Sequence, residues 1–154
     1  MQPAPRPPPH RSPPCRWTSS WWRPTYASIS NFGATDFDPA LAHGAVVTHR
    51  AAALQNIVAL ARTANLTGIN LDFEGVDPAD RDAYPRFVTD LAAQLHAIHA
   101  TLVLSVPAKT SDDSTNTWTW PYEYAALVRS ADLMMWALGD EAPTFWSAVT
   151  AALN

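Results

Sequence analysis

The residues best suited to chemistry lie in the stretch TGINLDFEGV, residues 67–76, where polar and apolar side chains alternate. Asn70, Asp72 and Glu74 are spaced by two, and large apolar residues stand between them. In a β-strand, residues two apart point to the same side, so these three side chains would share one face. Two carboxylates in one buried site disfavour each other's ionisation, so one of them keeps a proton near neutral pH. The pattern therefore predicts a general acid, and the alternative is an edge strand whose polar face meets water.

The composition is that of a globular protein and limits the classes of partner. The chain has 154 residues, of which 47% are hydrophobic and 16% charged, and its formal net charge is −4. Without a clustered basic face, we expect no nucleic-acid partner. No stretch approaches the roughly 20 apolar residues of a membrane helix, so we expect no membrane span. We expect neither a metal nor a cofactor.

The first residues differ in composition from the rest of the chain. Residues 1–24 hold eight of the fourteen prolines, which predicts an extended, disordered tail, with a ligand for a proline-recognising partner as the alternative. Prolines and arginines follow Met1, so the start does not have the apolar core of a signal peptide, and the compartment stays open. We assign residues 25–154 to one domain.

Strands and helices alternate through this domain. Apolar or alternating runs predict strands, and apolar residues at helical spacing predict helices between them. The predicted strands are 25–32, 67–74, 101–108 and 131–138, and the predicted helices are 49–64, one with an apolar face from Phe87 to Ile98, 121–130 and 143–153. This order predicts a parallel α/β sheet, either an open doubly wound sheet or a (β/α)8 barrel. Because no glycine-rich phosphate loop follows a strand, we favour an incomplete barrel of about four βα units, with the polar face inside.

The catalytic strand of glycoside hydrolase family 18, with its motif D-G-x-D-x-D-x-E, resembles this stretch. Gly68, Asp72 and Glu74 match the motif, while Thr67 and Asn70 stand where it has aspartates. The segments 104–110 and 122–135 also resemble the two strands that follow in the family's spore-cortex-lytic branch. The resemblance implies a (β/α)8 barrel that hydrolyses glycans of β-1,4-linked N-acetylglucosamine, such as chitin or peptidoglycan. It also implies relatives that are secreted or belong to the cell envelope.

The resemblance implies a role for each matching residue. In this family the acetamido oxygen of the substrate, and not an enzyme side chain, attacks the anomeric carbon. Glu74 would protonate the glycosidic oxygen and later act as base toward water. Asp72 would orient the acetamido N–H, and Asn70 would hydrogen-bond Asp72.

Other positions are candidates for substrate binding, and some depart from the family pattern. Asp140 matches the aspartate after the sixth family strand, but Gly139 replaces the tyrosine before it. Trp118 and Trp120 lie in a polar loop and are candidate sugar platforms, whereas Trp136, inside an apolar run, is more typical of a core residue.

The length leaves three interpretations of the domain, because a whole barrel needs about 250 residues. The chain is an active glycosidase or a piece of one, or a degenerate member that binds glycan without cleaving it, or an unrelated α/β interaction domain. A half barrel would have two open strand edges, through which we expect self-association to be favoured.

Overall fold

Four parallel strands form the sheet that the sequence predicts. The computed structural model of the chain describes residues 23–137, and its strands are β1 (Tyr26–Ser30), β2 (Gly68–Asp72), β3 (Thr101–Pro107) and β4 (Leu133–Ala137). The strands lie side by side in chain order, and each neighbouring pair is parallel. Parallel neighbours require a crossover connection, which the intervening helices provide. The predicted α/β class is confirmed.

The helices of the described residues are α1 (Pro39–His43), α2 (Arg50–Thr63), α3 (Ala83–His96) and α4 (Tyr124–Leu127). The carboxylate of Asp38 caps α1 by accepting the Ala40 N–H at 2.8 Å, which satisfies one of the free donors at a helix start. One π-helical turn, Gly44–Thr48, joins α1 to α2. Pro85 lies in the first turn of α3, as its fixed φ favours.

One face of the sheet packs against the helices and forms the core. Ile69 and Leu71 of β2 are fully buried there, together with Phe73 just beyond the strand. The Phe73 ring stacks on Phe87 of α3 with 6.3 Å between ring centroids. The prediction that these alternate residues face the helices is confirmed, and it places Asn70 and Asp72 on the opposite face. Trp136 is on the helix-facing side, since it pairs with Val106, but it is 43% exposed, so the expectation of a core residue is wrong.

The opposite face of the sheet is concave and lined differently at its two ends. A cavity of about 430 Å³ opens on it, lined by Tyr26, Ser28, Asn70, Val103, Leu133 and Met135. The carboxyl ends of the strands carry the polar side chains, including Asp72 and Ser105, which are paired in the register of β2 and β3. The concave face therefore has an apolar end and a polar end.

Two predicted elements differ from the structure. Strand β2 ends at Asp72, so Glu74 lies in the loop beyond it. The predicted helix 121–130 is reduced to the single turn of α4. The Tyr122 carbonyl accepts a hydrogen bond from the Lys109 ammonium, and the Ala126 N–H bonds to the Glu123 carbonyl and not to that of Tyr122.

Several predicted features lie outside the described residues: most of the proline-rich tail, Gly139, Asp140 and the helix 143–153. Within residues 23–137, no helix is both long and apolar enough to cross a membrane.

Candidate active site

Asn70 is held between the two strands that flank β2. Its amide nitrogen donates to the Ser28 hydroxyl at 3.2 Å, and its oxygen accepts from the Ser105 hydroxyl at 3.1 Å. The family resemblance implied a hydrogen bond from Asn70 to Asp72, whereas these contacts join Asn70 to β1 and β3. An uncharged amide can serve both neighbours at once because it has donors and an acceptor.

Asp72 lies at the end of β2, directly opposite Ser105. Burial raises the pKa of Asp72, since a charged carboxylate loses solvation there, and a hydrogen bond from Ser105 opposes this change. The Ser105 hydroxyl has one proton and faces both the Asn70 oxygen and Asp72. It can donate to only one of them at a time.

Glu74 follows two residues later, in the loop at the carboxyl edge of the sheet. Burial raises the pKa of Glu74, and the negative charges of Asp72 and Asp36 raise it further. Asp36 comes from the loop after β1, and no sequence pattern indicated that it lies near this carboxyl. A raised pKa keeps a carboxyl protonated closer to neutral pH, which is the state that a general acid requires.

Two buried side chains hold the backbone around Glu74. The Asn31 amide accepts from the Glu74 N–H at 2.9 Å and donates to the Glu74 carbonyl at 2.7 Å. The Tyr122 hydroxyl donates to the Phe73 carbonyl at 2.8 Å and accepts from the Val76 N–H at 3.3 Å. Sequence reasoning missed both residues. Asn31 carried a weak signal, a polar residue directly after a strand, whereas Tyr122 carried none.

The two loop tryptophans have different surroundings. Gly75 has φ +60°, and a Cβ built there would lie 2.9 Å from Trp118 Cζ3, so the indole packs directly on this glycine. Trp118 is 45% exposed, so an accessible indole packs on the residue next to Glu74. Trp120 instead lies under the Arg81 guanidinium, 3.6 Å from its ring centroid.

Arg81 and Lys109 anchor the loop 110–120 that carries these rings. Arg81 pairs with Asp112 at 2.7 Å and also donates to the Trp120 carbonyl, while Lys109 contacts Asp112 at 2.8 Å. These contacts tie the loop to the segment after Glu74 and to the end of β3. The loop therefore has a defined position beside the carboxylates.

The structure brings together Asn70, Asp72, Glu74 and Trp118, and it places Trp120 under Arg81 at the base of the same loop. Among residues 23–137, no cluster of three or more histidine, cysteine or acidic side chains could hold a metal ion. Two carboxyls with raised pKa values, an amide between strands and an exposed indole can bind a neutral polar ligand with an apolar face and deliver a proton to it.

A parallel sheet with such a carboxyl pair at its carboxyl edge is typical of glycosidases built on barrels. The chain belongs to glycosyl hydrolases family 18, whose pattern matches residues 25–141. The predicted family is thus confirmed, and with it a partial (β/α)8 barrel.

Similar proteins of this family include curated and structurally solved examples. The chain is 38% identical over 122 residues to the glycosylase YvbX of Bacillus subtilis strain 168, which covers 76% of this chain and 35% of YvbX. A class V chitinase from Pseudomonas fluorescens Pf-5 superimposes with a TM-score of 0.71 at 34% identity, covering 77% of this chain and 36% of the chitinase. The spore cortex-lytic enzyme SleL of Bacillus megaterium QM B1551 gives a TM-score of 0.65 at 25% identity, covering 71% and 26%. The chain spans about a third of the length of YvbX and of the Pseudomonas chitinase.

Proposed function

We propose that this chain supplies the acid/base half of a glycosidase that acts on β-1,4-linked N-acetylglucosamine glycans, chitin or peptidoglycan, by substrate-assisted hydrolysis with retention. The observation that carries the proposal is the position of Glu74. It lies at the carboxyl edge of the sheet, where Asp72, Asp36 and burial favour its protonated form. Family 18 chemistry needs such an acid and no enzyme nucleophile.

In the proposed mechanism, Glu74 donates its proton to the glycosidic oxygen as the bond to the anomeric carbon breaks. The acetamido oxygen of the sugar attacks that carbon and gives a cyclic oxazolinium ion. Asp72 accepts the acetamido N–H and offsets the positive charge that develops, and Asn70 keeps the neighbouring strands in register. Glu74 then takes a proton from water, which opens the ring with net retention.

The glycan is the proposed partner, and Trp118 is its proposed platform. A half-exposed indole beside the acid presents an apolar surface on which the face of a sugar ring packs. Trp120 is proposed to offer the glycan only one face of its ring, since Arg81 occupies the other. Asp140 is proposed as a further substrate contact from its place in the family pattern.

Hydrolysis of a chromogenic chitobioside tests the assignment of Glu74. The Glu74→Gln variant keeps the size of the side chain and removes the transferable proton, so turnover should fall to background. Glu123→Gln is the matched control, because the Glu123 side chain makes no capping hydrogen bond at the start of α4. Equal turnover by the wild type and Glu74→Gln would refute the role of Glu74.

The second candidate function is glycan binding without hydrolysis. Gly139 in place of the family tyrosine favours it, because losing one donor to a developing charge typically costs about 10²–10³ in rate. Calorimetry with chitin oligomers distinguishes the two functions. Binding that Trp118→Ala weakens, with no product after prolonged incubation, would support the binding function.

Self-association through the sheet edges is a separate proposal. Within residues 23–137, β1 and β4 each pair with a single neighbouring strand, and Tyr26, Leu133 and Met135 are exposed on the concave side. Exposed strand edges and apolar surface favour pairing with another chain. Sedimentation velocity at increasing protein concentration would show a growing dimer fraction, and a constant monomer would contradict the proposal.

A further inference from the structure

The backbone of the loop 73–76 is hydrogen-bonded by two side chains from outside the loop, Asn31 and Tyr122. Four of its backbone groups are bonded: the Phe73 carbonyl, the Glu74 N–H, the Glu74 carbonyl and the Val76 N–H. Asn31 serves the two groups of Glu74, and Tyr122 serves the groups on either side of it. Since Glu74 is past the end of β2, the strand ladder does not fix its backbone.

Asn31 and Tyr122 are themselves held in place by burial. Asn31 is 2% exposed and Tyr122 is fully buried. The Tyr122 ring packs edge-on against Tyr84 of α3, with 5.5 Å between centroids. Burial raises the pKa of Tyr122, so its hydroxyl keeps the proton that it donates to the Phe73 carbonyl. Hydrogen bonds in such dry surroundings hold their geometry more firmly than exposed ones.

The Asn31 amide uses both of its donors and its acceptor oxygen at this point. Its nitrogen donates to the Asp38 carbonyl at 3.0 Å as well as to Glu74, and its oxygen accepts from Glu74. Asp38 is also the residue that caps α1. The position of Glu74 is thereby tied to the start of the first helix, and not only to its own strand.

We propose that Asn31 and Tyr122 are positioning residues that together hold the 73–76 loop, and through it the Glu74 carboxyl, in the orientation needed for proton transfer. This inference rests on the proposed function of Glu74. Neither residue is assigned contact with the substrate. Their action is to fix the backbone from which the acid projects, and a displacement of about 1 Å at a catalytic group can cost on the order of 10²-fold in rate.

The sharpest test is the deletion of one hydroxyl with a matched deletion nearby. Tyr122→Phe removes both bonds to the loop and leaves the ring in place. Tyr124→Phe is the control, because that hydroxyl donates to the Pro107 carbonyl and does not touch the loop. We expect Tyr122→Phe to lower kcat on a chitobioside by about 10- to 100-fold with KM nearly unchanged, and Tyr124→Phe to leave kcat within about twofold.

A measurement without substrate separates this inference from the proposed function. Selective ¹³C labelling of glutamate gives signals from Glu74, Glu123 and Glu141, and the Glu74→Gln variant identifies the signal of Glu74. In Tyr122→Phe, the released loop lets the carboxyl sample water, so its titration midpoint should move toward that of an ordinary glutamate. In Tyr124→Phe the midpoint should stay at the wild-type value.

Asn31→Leu provides the second variant, since it nearly preserves size, adds no charge and removes all three side-chain hydrogen bonds. Because both side chains hold one loop, the losses in kcat of Asn31→Leu and Tyr122→Phe should not add in the double variant. Equal losses in Tyr122→Phe and Tyr124→Phe, or an unmoved Glu74 titration in Tyr122→Phe, would overturn the inference. If the wild type cleaves nothing, the proposed function fails, and the Glu74 titration still decides the role of the two residues.

Discussion

The substitution Gly75→Ala tests whether the loop beside Glu74 requires a residue without a side chain at position 75. Gly75 has φ +60°, a left-handed conformation that costs a residue with a Cβ about 1–2 kcal/mol. The new Cβ would also lie 2.9 Å from Trp118 Cζ3 and 3.3 Å from Cη2, so the indole must move. Alanine lowers the entropy of the unfolded chain, which returns about 0.4–1 kcal/mol.

The net expectation for Gly75→Ala is a loss of about 0.5–1.5 kcal/mol in the free energy of unfolding, because the backbone strain exceeds the entropy gain while the half-exposed ring can shift at little cost. Urea titration followed by far-ultraviolet circular dichroism measures it. Gly44→Ala is the matched control: no atom lies within 4 Å of its added Cβ, and Gly44 has helical φ −56°. The free energy of unfolding of this control should rise by about 0.5–1 kcal/mol.

The double variant Gly75→Ala/Trp118→Leu separates the two causes. The smaller leucine removes the ring contact and leaves the backbone strain, so the loss attributable to Gly75→Ala should shrink in this background without vanishing. A Gly75→Ala protein as stable as the wild type, or one stabilised to the same degree as Gly44→Ala, would refute the reasoning.

The charges and the loop around Glu74 give three more expected outcomes. Asp36→Asn removes a negative charge that raises the pKa of Glu74, so the alkaline limb of a kcat/KM–pH profile should move to lower pH. An unchanged alkaline limb would show that Asp36 does not affect the pKa of Glu74. Glu74→Gln should raise the free energy of unfolding at about pH 7 and not at about pH 3. A carboxyl with a raised folded-state pKa destabilises the fold only where it is ionised, and urea titrations at both pH values measure the difference. Arg81→Met removes the cation–π contact with Trp120, which is worth about 0.5–2 kcal/mol, so amide hydrogen exchange in residues 110–120 should become faster. Unchanged exchange would show that Arg81 does not stabilise this loop.

The sequence predicted the sheet and its chemical face because both depend on local spacing. Alternation at period two in residues 69–73 separates buried Ile69 and Leu71 from Asn70 and Asp72, and the register of a parallel sheet preserves that separation. The same spacing, together with the family motif, singled out Glu74. These predictions needed no knowledge of distant contacts.

The support of the site could not be predicted, since it depends on contacts between residues far apart in the chain. Asn31 lies 43 residues before Glu74, and Tyr122 lies 49 residues after the Phe73 carbonyl that it bonds. The prediction of a helix over residues 121–130 was wrong for a related reason. Lys109, from the end of β3, takes the Tyr122 carbonyl that a helix would use for its own backbone. Local propensity gave no sign of that competition.

Both donors and the acceptor oxygen of the Asn31 amide are engaged, which restricts how this position can vary among related chains. Aspartate lacks the two donors and would bring a charge beside Glu74, serine is too short to span both partners, and glutamine is one methylene too long for the buried space. Its neighbour Phe32 is 54% exposed, and its ring has one edge-on contact, with Phe37, so it is less constrained. In an alignment of chains that retain the acid, position 31 is therefore expected to be invariant asparagine while position 32 drifts, so drift at 31 would mark lineages in which selection on the acid has ceased.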